Sequence, residues 1–273
     1  MRKVVLFFSV VLVCGLFAAC SSGSSSKSEP LKPEIIENPQ VNLSNFPVDE
    51  GGYIQIFNGT DFTGWRGYNM TAVPKSWVID DGTIHIKGSG TGEAHTVDGG
   101  DLIFARKFKN FELSVDWKVS KGANSGIFYL AQEVKDQEIW MSAPESQILD
   151  NENHVDAKLG VDGNRQSTSL YDMIPAKPQN AKPYGEWNNT TITVFKGTVL
   201  HAQNGVNVLE YHLWTPQWTK MLQNSKFKEG SEEFPLAFEL LNNCGGPNRE
   251  GYIGLQDHGD DVWFKNIKIK ILD

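Results

Sequence analysis

Glu145 and Gln147 stand two residues apart in Glu145-Ser146-Gln147-Ile148-Leu149, and Asp150, Asn151, Glu152, Asn153 and His154 follow in a polar turn. On a strand this spacing puts both side chains on one face, about 7 Å apart, with Ile148 on the other. The turn residues can fold back over the same face. A carboxylate, amides and an imidazole gathered there could transfer protons and match hydroxyls. The plainer reading is a polar strand end with a solvated acidic turn. A second run, Gly251 to Gly259, is built the same way: Ile253 and Leu255 share one face, Tyr252, Gln256 and His258 the other. A ring, an amide and an imidazole on one side suit a sugar, the ring for its apolar face and the polar groups for its hydroxyls. Here too the alternative is a half-buried antiparallel strand with a polar outer side.

The remaining histidines carry less. His85 alternates with Ile84 and Ile86 and is expected to face solvent. His212 adjoins Leu213 and Trp214 and reads as packing, while His201 lies near the hairpin turn Gln203-Asn204-Gly205. The glycine-rich stretch 88–100, with Glu93, His95 and Asp98, reads as a long loop that could rim a site. Trp65, Trp140, Trp187, Trp214, Trp218 and Trp263 could stack on sugars, but most are expected in packing.

Many short strands must position these groups. Trp77-Val78-Ile79 meets Thr83 to Ile86 across Asp80-Asp81-Gly82, a hairpin signal. Phe111 to Val119 is apolar at every odd position and polar at every even one. Further strands are expected at 126–131, 145–149, 189–195, 199–203, 206–212, 236–241 and 262–271. One short helix is expected over 217–223, with Thr215 as cap and Pro216 in its first position. Spacings of about 8–15 residues, with 26 glycines for the turns, predict an all-β sandwich of two antiparallel sheets with one short helix. An up-and-down barrel is the alternative.

Residues 1–20 read as a lipoprotein signal: Arg2 and Lys3, an apolar run from Val4 to Phe17, then small residues before Cys20, the expected lipidation site. Serines over 21–28 and a proline- and charge-rich stretch to 40 predict a flexible tether through residue 48, then one folded domain over 49–273. The expected location is the cell envelope of a bacterium, outer membrane or periplasmic side, with membrane contact only through the lipid. Cys14 leaves with the signal and Cys20 is acylated. Cys244 alone remains, so no intrachain disulfide is expected, and nothing in the sequence supplies a base to make it a nucleophile. Losing residues 1–19 removes Arg2 and Lys3 and no acid, so the formal charge moves from −8 to −10. With no basic cluster, nucleic acid is excluded as a partner.

Several blocks in order resemble the 3-keto-disaccharide hydrolase domain family. They are Ile56-Phe57-Asn58-Gly59-Thr60-Asp61-Phe62-Thr63-Gly64-Trp65, Trp77 to Gly82, Asp101-Leu102-Ile103, Phe111-Glu112-Leu113, Asn124-Ser125-Gly126-Ile127, Glu145 to Asp150, Gly185-Glu186-Trp187-Asn188 and 251–269. The likeness spans 53–271. It departs at Gln166 to Asp172, where the family's Thr-Gly-Ala-Leu-Tyr type segment carries serines instead. The resemblance implies a concanavalin-A-like jelly roll with a ligand groove, and cleavage of 3-keto-glycosides or 3-keto-disaccharides. A C3 ketone acidifies the C2 proton, so a base can remove it, the C1 substituent can leave, and water can add back. Such a site needs a base, an acid for the leaving oxygen and a group that polarises the ketone. Glu145 is the candidate for proton transfer, His258 for the ketone or the leaving oxygen, and His154 completes the catalytic set. Gln147, Asp150, Tyr171, Tyr252, Gln256 and Asn124 are the substrate-binding candidates. An oxidoreductase is the implied partner, as the source of the keto sugar. No cofactor is firm. Asp150, His154 and His258 could hold a divalent metal, but no tight ligand motif is present and no metal residue is assigned. A lectin-like binding module is the competing class. Ordinary two-carboxylate hydrolysis is the rival mechanism, and it needs a second acid about 5 Å or more from Glu145.

Overall fold

The computed structural model describes residues 32–88 and 95–273. The expected signal segment with Cys20, and Glu93, lie outside the described residues. Thirteen strands form among them: β1 Ile54–Gln55, β2 Trp65–Gly67, β3 Trp77–Asp80, β4 Thr83–Ile86, β5 Leu102–Phe108, β6 Phe111–Val119, β7 Asn124–Ala131, β8 Glu145–Leu149, β9 Asn188–Phe195, β10 Thr198–Gln203, β11 Val206–His212, β12 Gly251–Leu255 and β13 Val262–Ile271. Two short helices, α1 Pro216–Gln223 and α2 Ala237–Asn242, follow β11. The larger sheet runs β11-β10-β9-β6-β13-β4-β3, with β1 also on β13, and the smaller runs β2-β5-β12-β7-β8. Every pairing between these strands is antiparallel. The architecture is a jelly-roll sandwich rather than a single closed barrel.

Alternation explains which face each sheet buries. Phe111, Leu113, Val115, Trp117 and Val119 of β6 point into the core between the sheets and the even positions point out. In β13 the buried set switches from Val262 and Phe264 to Ile267 and Ile269. The register shift between Lys265 and Lys268, with Asn266 at a φ of 49°, absorbs that switch as a bulge. From the smaller sheet, Ile127, Tyr129, Ile148, Ile253 and Leu255 meet the same core. Their neighbours on the opposite face, including Glu145, Gln147 and Gln256, are therefore turned away from it. The outer edge of β8 is not bare: Thr168 N–H donates to the Gln147 carbonyl (2.7 Å), and Gln147 N–H to the Ser169 carbonyl (3.1 Å).

Three expectations are corrected, and His201, near its hairpin turn as expected, gains a defined environment. The strand expected at 236–241 is α2, because Ala237, Leu240 and Leu241 are buried at helical spacing and pack beside Trp218, whose Nε1–H donates to the Leu241 carbonyl. The tether ends earlier than residue 48. Ile36 N–H bonds the Glu133 carbonyl, Val41 N–H bonds the Ala105 carbonyl, and Phe46 packs edge-on against Phe104. His201 sits inside the sandwich, between the Tyr129 hydroxyl (2.8 Å from Nε2) and the Thr168 carbonyl (2.9 Å from Nδ1), and burial pushes its pKa down to about 4. His85 is shielded rather than solvated, stacked on Trp263 with Nε2 2.9 Å from Asp261.

Candidate active site

The outward face of β7, β8 and β12 forms the floor of a cavity of about 440 Å³. Glu145 and Gln147 rise from β8, Asn124 from the start of β7, and Gln256 and His258 follow the end of β12. Glu145 fits because residue 126, beside it on β7, is glycine; a β-carbon there would overlap the Glu145 carboxylate. Burial raises the Glu145 carboxyl to about 8, against the pull of nearby Lys226. A carboxyl so shifted can exchange a proton near neutral pH.

Three amides complete the floor. Gln147 Oε1 accepts the Ile148 N–H (2.9 Å), which leaves its NH₂ as the group available to a ligand. Asn124 Oδ1 and Gln256 Oε1 are buried and meet no protein donor among the described residues. Buried acceptors of this kind call for donors from a ligand or from water.

Two walls rise from loops. On one stand Trp140, Tyr171, Lys226 and Phe227. Tyr171 donates to Asp156 (2.8 Å), and Arg165 ties Asp156 to Asp172 at 2.7 Å each. Asp172 in turn accepts the Lys226 backbone N–H (2.9 Å). Burial lowers the Lys226 pKa, against the pull of Glu145. The other wall carries His95 and Glu138, with Asp101 buried behind them. His95 Nε2 lies 3.7 Å from Asp101 and 3.6 Å from Glu138, and burial raises Asp101 to about 7. Asp257 holds this wall in place by accepting from the backbone of Thr96, Gly100 and Gly259 and from the Thr96 hydroxyl.

Of the residues named from the sequence, Glu145, Gln147, Asn124, Tyr171, Gln256 and His258 line this cavity together. His154 stands behind His258, ring centroids 6.1 Å apart and nearly perpendicular. Asp150 is placed elsewhere. Burial opposes its ionisation, but the N–H groups of Gly122, Glu152 and Asn153 and the Asn153 amide outweigh that and hold its carboxyl below the usual range. It organises the turn. Tyr252 also lies away from the cavity, fully buried beside Ile103, Phe128 and Ala131, with Arg66 and Lys107 over its ring. β12 keeps its alternation, with Ile253 and Leu255 in the core, so Tyr252 does share the outward face with Gln256; it stands four residues back along the strand, where Ile139, Ala143 and Trp140 cover that face.

Lys226, Phe227, Glu138 and Asp101 were not found by sequence reasoning. They come from polar loops with no periodicity, and only the fold brings them to Glu145. His95 was anticipated as a rim residue without a place. Of the six tryptophans considered, Trp140 alone lines the cavity.

Two donor sets could hold a cation: His154, His258 and Asp260, and His95, Asp101 and Glu138, each with ligand atoms within 4.8 Å of one another. In the first, His154 Nδ1 accepts the Asp156 N–H (3.1 Å), which puts the proton of the neutral ring on Nε2 and makes that atom a donor.

The family model for the 3-keto-α-glucoside-1,2-lyase-like domain matches residues 52–270. The chain belongs to that family. A curated relative, the 3-keto-disaccharide hydrolase of Bacteroides thetaiotaomicron, is 58% identical over the whole of both chains. Kinship of that order shows this lyase-like domain to be an enzyme of hydrolase type. Among solved structures, a protein of Parabacteroides distasonis described as a candidate glycosyl hydrolase is 30% identical, with a TM-score of 0.67 over 82% of this chain and 95% of its own. A second from the same organism, at 26% identity and a TM-score of 0.56, covers 76% of this chain and 99% of its own. Both carry the jelly-roll arrangement seen in this lyase-like domain.

Proposed function

We propose that this protein is a carbohydrate-cleaving enzyme that acts on glycosides carrying a ketone at C3, by elimination and rehydration. Glu145 as carboxylate takes the C2 proton, the electron pair moves onto the C3 oxygen, and the C1–O bond breaks as the ketone re-forms. The leaving oxygen is protonated, with His258 as the donor. Water then adds across C1 and C2, its oxygen to C1 and a proton to C2, so that glycoside and water give keto sugar and alcohol. Gln147, Gln256 and Asn124 hold the sugar hydroxyls, and Tyr171 stands in the cavity wall.

One observation carries this reading: the buried carboxyl of Glu145, tuned to about 8, stands on the floor of a cavity edged by amides with free acceptors. That arrangement suits removal of a carbon-bound proton next to a ketone. A pure binding site has no use for a buried carboxyl held at such a pKa. The relative named a 3-keto-disaccharide hydrolase supports the same substrate class.

The test is release of aglycone from 3-keto-methylglucoside or 3-keto-trehalose. Turnover should fall by about 10²–10⁴ in Glu145→Gln. Binding with no release at any pH or with any added divalent metal would favour the lectin-like alternative. An oxidoreductase upstream must supply the keto sugar. Cys20 is the proposed lipid anchor, so Cys20→Ala should move the protein from the membrane fraction to the soluble one.

A further inference from the structure

Removal of the C2 proton leaves negative charge on the C3 oxygen, and a base alone cannot hold that charge. We propose that the ammonium of Lys226 is the group that takes it, which makes Lys226 a catalytic residue alongside Glu145. This inference rests on the 3-keto reading given above.

Lys226 lines the same cavity as Glu145 and acts on its charge. Its surroundings are unusual for a structural lysine. Nζ lies 4.5 Å from the centroid of the Tyr171 ring, 5.2 Å from Phe227, 5.6 Å from Phe234 and 5.7 Å from Trp140. The Tyr171 hydroxyl, at 3.4 Å, is its hydrogen-bond partner. Among the described residues no carboxylate comes within ion-pair distance of Nζ. The charged groups that bear on it are Glu145, Arg165, Asp172 and Asp156. Arg165 satisfies Asp156 and Asp172 directly.

A half-buried ammonium without a bonded anion carries a desolvation cost, and aromatic faces offset only part of it. The missing partner is supplied when substrate becomes enolate. A cation left underpaired until charge develops binds the transition state more tightly than the ground state. Position agrees with chemistry, since the base for C2 and the cation for the oxygen on C3 must lie close together. The main chain of Lys226 is held by Asp172, which Arg165 ties in turn, and the ammonium itself rests on the Tyr171 hydroxyl and the surrounding rings.

The step balances. The C2–H pair becomes the C2–C3 π bond of the enolate, the proton goes to Glu145, and the ketone π pair goes to oxygen beside Lys226. Collapse of the enolate restores the ketone and expels the C1 substituent. Lys226 neither gains nor loses a bond.

Lys226→Met, which keeps the shape and removes the charge, gives the test. Two substrates are used: 3-keto-methylglucoside for turnover, and 1,5-anhydro-3-ketoglucitol, which has no leaving group, for C2 deuterium exchange. Both kcat and exchange should fall by about 10²–10³, the usual cost of losing one oxyanion donor, with KM changed far less. The acid limb of kcat/KM should move to higher pH, because the cation that lowers the Glu145 pKa is gone. A merely structural lysine would lower the melting temperature and leave exchange per folded molecule unchanged. If the wild type releases no aglycone, the 3-keto reading itself fails. If the wild type is active and Lys226→Met stays within about fivefold in exchange, Lys226 alone is overturned. A secondary amine at Lys226 after cyanoborohydride trapping would overturn the electrostatic role in favour of a covalent one. Should Lys226→Met not fold, Lys226→Ala with added methylammonium replaces it, where recovery of exchange supports the proposal and a flat response overturns it.

Discussion

Glu145 sets the pH behaviour of the site. Its carboxyl keeps a proton up to about 8 in the folded protein, against 4.5 for an ordinary glutamate. As a base it works only when ionised, so kcat/KM should rise with pH through about 8 and fall away below it. The same shift acts on stability. Between 4.5 and about 8 the folded chain holds a proton that the unfolded chain has lost, so stability falls as pH rises through this window. Glu145→Gln cannot ionise and escapes that loss. Its melting temperature should match the wild type near pH 5 and exceed it by several degrees at pH 9. A variant that melts with the wild type at both values would mean that Glu145 is not held in its neutral form. At this scale the sequence was informative where alternation held, since Glu145, Gln147, Gln256 and His258 reach one cavity. It was not informative for Asp150, whose short side chain is used up by the turn it begins.

The elements position the base through one missing side chain. Gly126 of β7 leaves the space that the Glu145 carboxylate occupies. Gly126→Ala keeps ordinary strand backbone but displaces the carboxylate, and a misplacement of about 1 Å can cost about 10²-fold in rate. We expect kcat to fall on that order while the melting temperature drops only slightly; unchanged kcat would show that the carboxylate does not need this position. Strand periods made most of the two sheets legible, and β6 is plain from its alternating residues. Two expectations failed for different reasons. The run from Leu236 is short and apolar enough to read as a strand, yet its burial follows helical spacing against α1. Tyr252 keeps the outward side of β12 that alternation gives it, but Ile139 and Ala143 cover that end of the face and turn it into packing, and cover supplied by a distant loop leaves no mark in the strand's own sequence.

At the scale of the whole molecule, the folded unit extends to the N-terminal side of the expected boundary. Val41, Leu43 and Phe46 pack against the core, and Lys135 N–H bonds the Glu34 carbonyl. A chain beginning at Asp49 should therefore be less stable by more than about 2 kcal/mol in urea unfolding, given about 1.5–3 kcal/mol for each large apolar side chain buried. Equal stability would return this segment to the status of a tether. The loops carrying His95, Glu138 and Lys226 show why the site was only half legible. Their residues are far apart in sequence and polar, and they meet only because the jelly roll stacks its connections over β7, β8 and β12. The reaction itself is tested most directly in heavy water. With 3-keto-methylglucoside, and at times too short for the free keto sugar to exchange by itself, the released sugar should carry one deuterium at C2, and Glu145→Gln should slow release and labelling together by about 10²–10⁴. Release of a sugar that keeps its original C2 hydrogen would contradict the account.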